Sequence, residues 1–170
     1  MKIEMILKTS HLRAALSRHP CIKAMAIVEV CASNELPLVE LDHKKASIFI
    51  VNTDPNYKLG SHWIAIFIQK NELCSFFDPL GKPPSSYGKH IIHFLQLNSS
   101  VGYSINKTVF QNETSTACGF YSCLYLFKRM EGVSDSDTKL FIFKMSEEQV
   151  VSCVLPFLYP STSVLNYCTD

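Results

Sequence analysis

The sequence lacks a charge bias: sixteen Lys and Arg stand against fifteen Asp and Glu, for a formal net charge of +1. There is thus no global electrostatic argument for nucleic acid or a membrane surface as partner. No apolar run reaches about 18 residues, which argues against a transmembrane helix and any membrane partner. No CxxC pair occurs, and the seven cysteines (21, 31, 74, 118, 123, 153 and 168) are odd in number and widely spaced. That pattern reads as reduced thiols in an intracellular compartment rather than a disulfide framework. Met1-Lys-Ile-Glu-Met-Ile-Leu is too short and too interrupted by charge to read as a signal peptide, so secretion is not expected. Repeats, low-complexity segments and linkers are missing, and the 170 residues are expected to form one domain, 1–170. Asn98, Asn106 and Asn112 begin Asn-x-Ser/Thr sequons, which carry no meaning without export.

The composition, 47% hydrophobic and 18% charged, is that of a compact globular chain. Residues 10–18 have a serine cap and helical spacing of apolar positions, predicting a short helix that ends before Pro20. A β-rich middle follows, with runs at 46–52, 63–68 and 73–77. The last two read as a hairpin. A three-residue loop at 69–71, with Asn71 left-handed, would place Ile68 opposite Glu72 and His62 opposite Asp78. A two-residue turn would instead send His62 and Asp78 to opposite faces.

Pro79, Gly81, Pro83 and Pro84 break the sheet, after which residues 87–97 have helical spacing and 103–110 alternate like a strand. Residues 118–130 are apolar on nearly every side, the mark of a helix buried in the core. Ser146-Glu-Glu-Gln149 has the form of a capping box opening a last helix, which Pro156 should bend or end.

Cys118 therefore opens a buried helix. A helix N-terminus and a neighbouring imidazolium both favour the thiolate, which is the nucleophilic form of cysteine. His62 would accept the thiol proton and later deliver it to a leaving amine, while Asp78 would fix the tautomer and stabilise the imidazolium. Gln111, seven residues before Cys118, could supply a side-chain N–H to a tetrahedral oxyanion, with the Cys118 backbone N–H as second donor. Gly119, having no β-carbon, would let substrate backbone approach. Taken singly, each residue is more often structural: a core cysteine, a packed His-Trp, a turn Asp-Pro, a loop amide. His90 and His93, three apart on a predicted helix, find no complementary Cys/His pair, and no metal site is expected.

The order His, Asp, Gln, Cys resembles the adenovirus endopeptidase (adenain) group, within the clan that includes the SUMO and NEDD8 deconjugating proteases. The carrying residues are Ile50-Val-Asn-Thr53, Gly60-Ser-His62-Trp63, Phe77-Asp78-Pro79-Leu-Gly81 and Gln111 to Tyr121 with Thr116-Ala-Cys118-Gly119; Ala32 to Pro37 matches more loosely. The Gln-to-Cys interval of seven fits the adenain branch better than the shorter interval usual in SUMO proteases.

The resemblance implies an α+β, papain-like cysteine protease fold in rearranged order, a central mostly antiparallel sheet packed against a buried nucleophile helix. It implies a cysteine endopeptidase cleaving after glycine in Gly-Gly or Gly-x-Gly sites, with Trp63, Gly60 and Gly119 beside the substrate. Its polypeptide substrates would be viral capsid or core precursors, met by a monomer in the host nucleus or the virion. A modifier deconjugase is the alternative, and a catalytically silent scaffold a third. No cofactor is required by the sequence. An activating peptide or DNA, as in the adenovirus enzyme, stays open, but a disulfide-linked peptide is not supported, because no cysteine lies between Cys74 and Cys118. The near-neutral charge likewise gives DNA little support.

Overall fold

The computed structural model describes residues 5–38, 41, 44–99 and 101–160. Its centre is a five-stranded sheet in the order β1 (Ala26–Ala32), β2 (Ala46–Asn52), β3 (Trp63–Ile68), β4 (Cys74–Phe77) and β5 (Tyr103–Ile105). The two inner pairings, β2–β3 and β3–β4, are antiparallel, while β1–β2 and β4–β5 are parallel. The sheet is thus mixed where a mostly antiparallel one was expected. The α+β class stands.

Both faces of the sheet are covered, which explains why its inner strands read as unbroken apolar runs rather than alternating ones. Ile48, Ile50, Trp63, Ala65, Phe67 and Phe77 enter one core with helix α4 (Cys118–Met130), α1 (Thr9–Arg18) and α6 (Glu147–Leu158). Phe49, Val51, Ile64, Ile66, Ile68 and Phe76 enter the other, beneath α3 (Lys89–Asn98). Phe49 and Phe94 meet edge-on across that second layer, centroids 4.9 Å apart.

Short elements complete the chain. Pro20, expected only as a stop for α1, is also the first residue of α2 (Pro20–Met25), where its missing N–H costs nothing. Helix α5 (Asp135–Phe143) is capped by Ser134, whose side chain accepts from the Asp137 amide. Ser146 and Gln149 form the expected capping box on α6. Pro156 lies inside α6, which runs on to Leu158. Residues 84–87 form a single 3-10 turn before α3, so Tyr87 stands outside the helix expected to include it.

The hairpin departs from its expected register. Ala65 lies opposite Phe77 and Phe67 opposite Ser75, which by extension sets Asp78 opposite Ile64, two residues along from His62. The loop is five residues, 69–73, because the Glu72 amide closes a turn onto the Gln69 carbonyl (3.2 Å) and the Glu72 carboxylate accepts from Arg129 on α4 (2.7 Å). Asn71 is left-handed as expected, with φ 65°. A shift of two preserves the parity of the pleat, so His62 and Asp78 remain on one face as diagonal neighbours.

Cys21, Cys31, Cys74, Cys118 and Cys123 are free thiols. Cys168, read above as another, and Met1 to Glu4 of the opening stretch lie outside the described residues. Among the described residues, no helix is long and apolar enough to cross a membrane.

Candidate active site

His62 and Asp78 sit just past the ends of β3 and β4, at the same end of the sheet. The Thr53 amide donates to the His62 carbonyl (2.9 Å), continuing the β2–β3 ladder one step and fixing the His62 backbone. His62 Nε2 meets Asp78 Oδ1 at 2.6 Å, and Cys118 lines the same cleft as His62, close enough for its sulfur to act on the imidazole. With Nε2 engaged by the carboxylate, Nδ1 is left free of Asp78.

Asp78 is wholly buried, so its charge depends on donors. Oδ1 accepts from His62 and from the Leu80 amide (2.9 Å); Oδ2 accepts from the Lys82 amide (2.9 Å) and the Tyr87 hydroxyl (2.6 Å). Burial pushes the carboxyl up, but the bonds from His62 and Tyr87, the His62 charge and the Leu80 amide outweigh it and hold Asp78 below its ordinary range. Burial alone would lower His62. Hydrogen bonds to Asp78 and Cys118, and their negative charge, instead raise it to about 9. At neutral pH the imidazolium is therefore the favoured form, and it is the counter-ion that a thiolate requires.

Asn106 fixes the backbone of Asp78. The Asp78 N–H donates to Asn106 Oδ1 (2.8 Å), and Asn106 Nδ2 donates to the carbonyls of Asp78 (2.6 Å) and Thr108 (3.0 Å). The side chain thereby imitates a strand, tying the exit of β5 to the residue after β4. Neither Asn106 nor Tyr87 was singled out for this site by the sequence. Asn106 drew notice only as a sequon, and Tyr87 only as the start of a helical pattern.

Cys118 is the first residue of α4, preceded by Ala117, which offers no side-chain cap. The positive end of that helix is left to whatever charge arrives at the thiol. Gln111 is buried on the neighbouring loop, its backbone N–H bound to the Pro79 carbonyl (3.1 Å). One amide hydrogen of Gln111 Nε2 goes to the Ser115 carbonyl (2.7 Å), which leaves the second for another acceptor. Gln111 Oε1 is buried without a partner among the described residues.

These residues converge on one cleft of about 600 Å³, lined by His62, Trp63, Gly60, Gln111 and Cys118 among others. Trp63 lies in its wall with Nε1–H donated to the Leu7 carbonyl (3.0 Å). Gly60 is left-handed (φ +85°), so any other residue there is strained, and a β-carbon would also stand 2.6 Å from Asn52 Nδ2 and displace that side chain. Gly119 is placed differently from the expectation of substrate approach. It is not among the cleft's lining residues, and a β-carbon on it would press on Leu7 and Leu12 at 3.2 Å. Its missing side chain lets the N-terminal segment and α1 settle onto α4. Among the described residues, no group of three or more His, Cys, Asp or Glu gathers as metal ligands.

Comparison with known proteins agrees with this architecture. Residues 32–153 match the family model of the Ulp1 protease family, C-terminal catalytic domain. A protein of Acanthamoeba polyphaga mimivirus whose name is that of a thiol protease is 32% identical over 90 residues, covering 49% of this chain. The chain spans only 30% of that relative's length. Among solved structures, the ASFV protease aligns with a TM-score of 0.58 at 16% identity, over 85% of this chain and 65% of its own. The SUMO protease Ulp1, with its catalytic cysteine oxidized to a sulfinic acid, aligns with a TM-score of 0.55 at 12% identity, over 92% and 81%. The central domain of an uncharacterized Legionella pneumophila protein gives 0.55 at 13% identity, over 90% and 96%. At these identities the structural likenesses speak for the fold, and the family model, which spans most of the chain, speaks for descent: the chain belongs to the Ulp1 protease family.

Proposed function

We propose that this chain is a cysteine endopeptidase, with Cys118 as nucleophile, His62 as general base and acid, Asp78 as the orienting carboxylate and Gln111 as an oxyanion donor. The observation that carries the reading is the buried His62–Asp78 contact of 2.6 Å, with His62 and Cys118 lining one cleft. The thiolate attacks the scissile carbonyl carbon and a C–S bond forms as the carbonyl electrons move onto oxygen. That oxyanion is met by the second Gln111 N–H and by the Cys118 backbone N–H, an amide in the first turn of α4 with no intrahelical acceptor. The C–N bond then breaks, and the imidazolium proton passes to the leaving amine. Water, activated by the now neutral His62, hydrolyses the thioester and regenerates the thiolate.

Cleavage after glycine is the specificity we assign. Trp63 is held by its bond to Leu7, beside Ile6 and Gly60 in the cleft wall, and an indole pinned in this way does not swing aside for a bulky side chain. The substrates we infer are viral precursor proteins, acted on inside the infected cell or the virion. The mimivirus relative supports a viral setting, and the Gln-to-Cys interval of seven supports an adenain-like maturation role. Incubation with Gly-Gly and Gly-x-Gly peptides should give cleavage after glycine that Cys118→Ala abolishes. Intact peptides, with Cys118 still alkylatable, would count against the reading.

Deconjugation of a ubiquitin-like modifier is favoured by one specific observation, the match to the Ulp1 family model itself. Vinyl-sulfone probes built on SUMO, NEDD8 and ubiquitin separate the two. Rapid labelling of Cys118 by a folded modifier, with slow peptide turnover, would favour deconjugation.

A further inference from the structure

The leaving half of a peptide substrate must depart on the side of the cleft where His62 can hand it a proton. Beyond His62, as seen from the thiol, lies Asp78, and one segment of chain, residues 80–87, is wrapped around its carboxylate. The Leu80 and Lys82 amides and the Tyr87 hydroxyl all donate to it. The same segment forms cleft wall, contributing Leu80, Lys82, Ser86 and Tyr87. Its shape is fixed by Gly81 at φ +69°, by Pro83 and Pro84, and by the 3-10 turn at 84–87. The Tyr87 ring lies 5.9 Å from that of His62.

Charge is distributed unevenly in this cleft. Lys58, also in the cleft lining, is paired with Asp54 at 3.7 Å. Glu113 belongs to the Gln111 loop, on the oxyanion side. Within the 80–87 wall the charged side chain is Lys82, which is exposed and pairs with none of the described carboxylates, while Asp78 lies buried behind that wall, held by its four donors. The 80–87 wall therefore presents one unpaired positive charge, that of Lys82.

We propose that residues 80–87 form the subsite for the leaving segment and that Lys82 there selects polypeptides carrying acidic side chains just after the scissile bond. This rests on the proteolytic reading of the same cleft. The covalent steps are those given above; the subsite acts by holding the segment whose amine takes the His62 proton. Substituting Lys82 leaves its backbone amide on Asp78 intact, so side-chain charge can be varied separately from the support of the carboxylate.

The test is a ratio measured within each protein, so that a general change in activity cancels. Two peptides identical through a Gly-Gly sequence up to the scissile bond, with Asp or Lys at the second and third positions after it, are compared by kcat/KM. Wild type should prefer the acidic peptide by about two- to fivefold at low salt, the scale of exposed charge pairs. Lys82→Met should bring the ratio near one, and Lys82→Glu should invert it. The preference should shrink in 1 M salt, where the screening length falls to about 3 Å. Cleavage of both peptides with a ratio indifferent to residue 82 overturns the subsite while leaving the protease reading intact. Cleavage of neither peptide by wild type overturns both.

Discussion

Replacing Asn106 with alanine probes the clamp that holds the orienting carboxylate. The Asn106 side chain is 4% exposed and makes three hydrogen bonds, two to the backbone of Asp78 and one to the Thr108 carbonyl. Alanine strands one buried N–H and two carbonyls. An unsatisfied buried group costs about 1–3 kcal/mol, and water entering the vacated volume recovers part, so a net loss of about 2–4 kcal/mol is expected. Against a total of about 5–15 kcal/mol the protein stays folded. For a chain of this size the loss lowers Tm by about 4–16 °C. Asp78 then loses its fix relative to His62, and a misplacement approaching 1 Å can cost about 10²-fold. We expect kcat to fall about 10- to 100-fold with KM little changed. Asn106→Asp should be worse, since an ionised carboxylate accepts from the Asp78 amide but cannot donate to either carbonyl. Calorimetry and peptide kinetics, run well below each variant's Tm, read both effects. An Asn106→Ala protein within 1 °C of wild type and with unchanged kcat would refute the reasoning.

Other outcomes follow from the same geometry. His62 is raised in the fold to about 9 from an ordinary 6.5, so its contribution to stability is full below 6.5 and is lost as pH rises through about 9; Asp78 is lowered, so its contribution is present above the ordinary carboxyl range and is lost on acidification. Activity should decline on the alkaline side near pH 9 as the proton for the leaving amine is lost, and a pH–rate profile flat through pH 10 would contradict this. Tyr87→Phe removes one of four donors to Asp78 while both backbone amides remain, so a loss of about 1.5–3 kcal/mol in denaturant unfolding is expected, and an unchanged midpoint would remove Tyr87 from the site. Gly119→Ala forces a methyl against Leu7 and Leu12, costing about 1–3 kcal/mol with KM unaltered; a raised KM at unchanged stability would restore Gly119 to the substrate path.

The parts legible in the sequence are those whose environment is uniform along the chain. Strands β2 and β3 are buried on both faces and stand out as β-branched runs, and α4 is apolar all round for the same reason. Helix α5 left no such pattern, because Leu140, Phe141 and Phe143 stay exposed and no apolar stripe emerges. The hairpin register was misjudged through a contact the local sequence does not contain, the Glu72–Arg129 pair that draws the loop toward α4. The site follows the same division. His62, Asp78, Gln111 and Cys118 are singled out by residue type and order; His62, Gln111 and Cys118 line one cleft, and Asp78 meets His62 from behind it. Asn106 reaches Asp78 across 28 residues of chain only because β5 lies parallel to β4, and Tyr87 arrives through a proline-set turn.

The central claim is that Cys118 is the nucleophile and that His62, oriented by Asp78, activates it. Its most direct measurement is the rate of iodoacetamide alkylation at Cys118 at pH 6, located by peptide mass mapping. Cys31 and Cys74 compete poorly, since burial pushes each thiol up to about 12, and burial raises Cys123 as well. The account predicts fast labelling at Cys118 in wild type and a drop of about tenfold or more in His62→Ala, which lacks the imidazolium. Equal rates in the two proteins, or labelling of Cys118 as slow as that of the buried thiols, would contradict it.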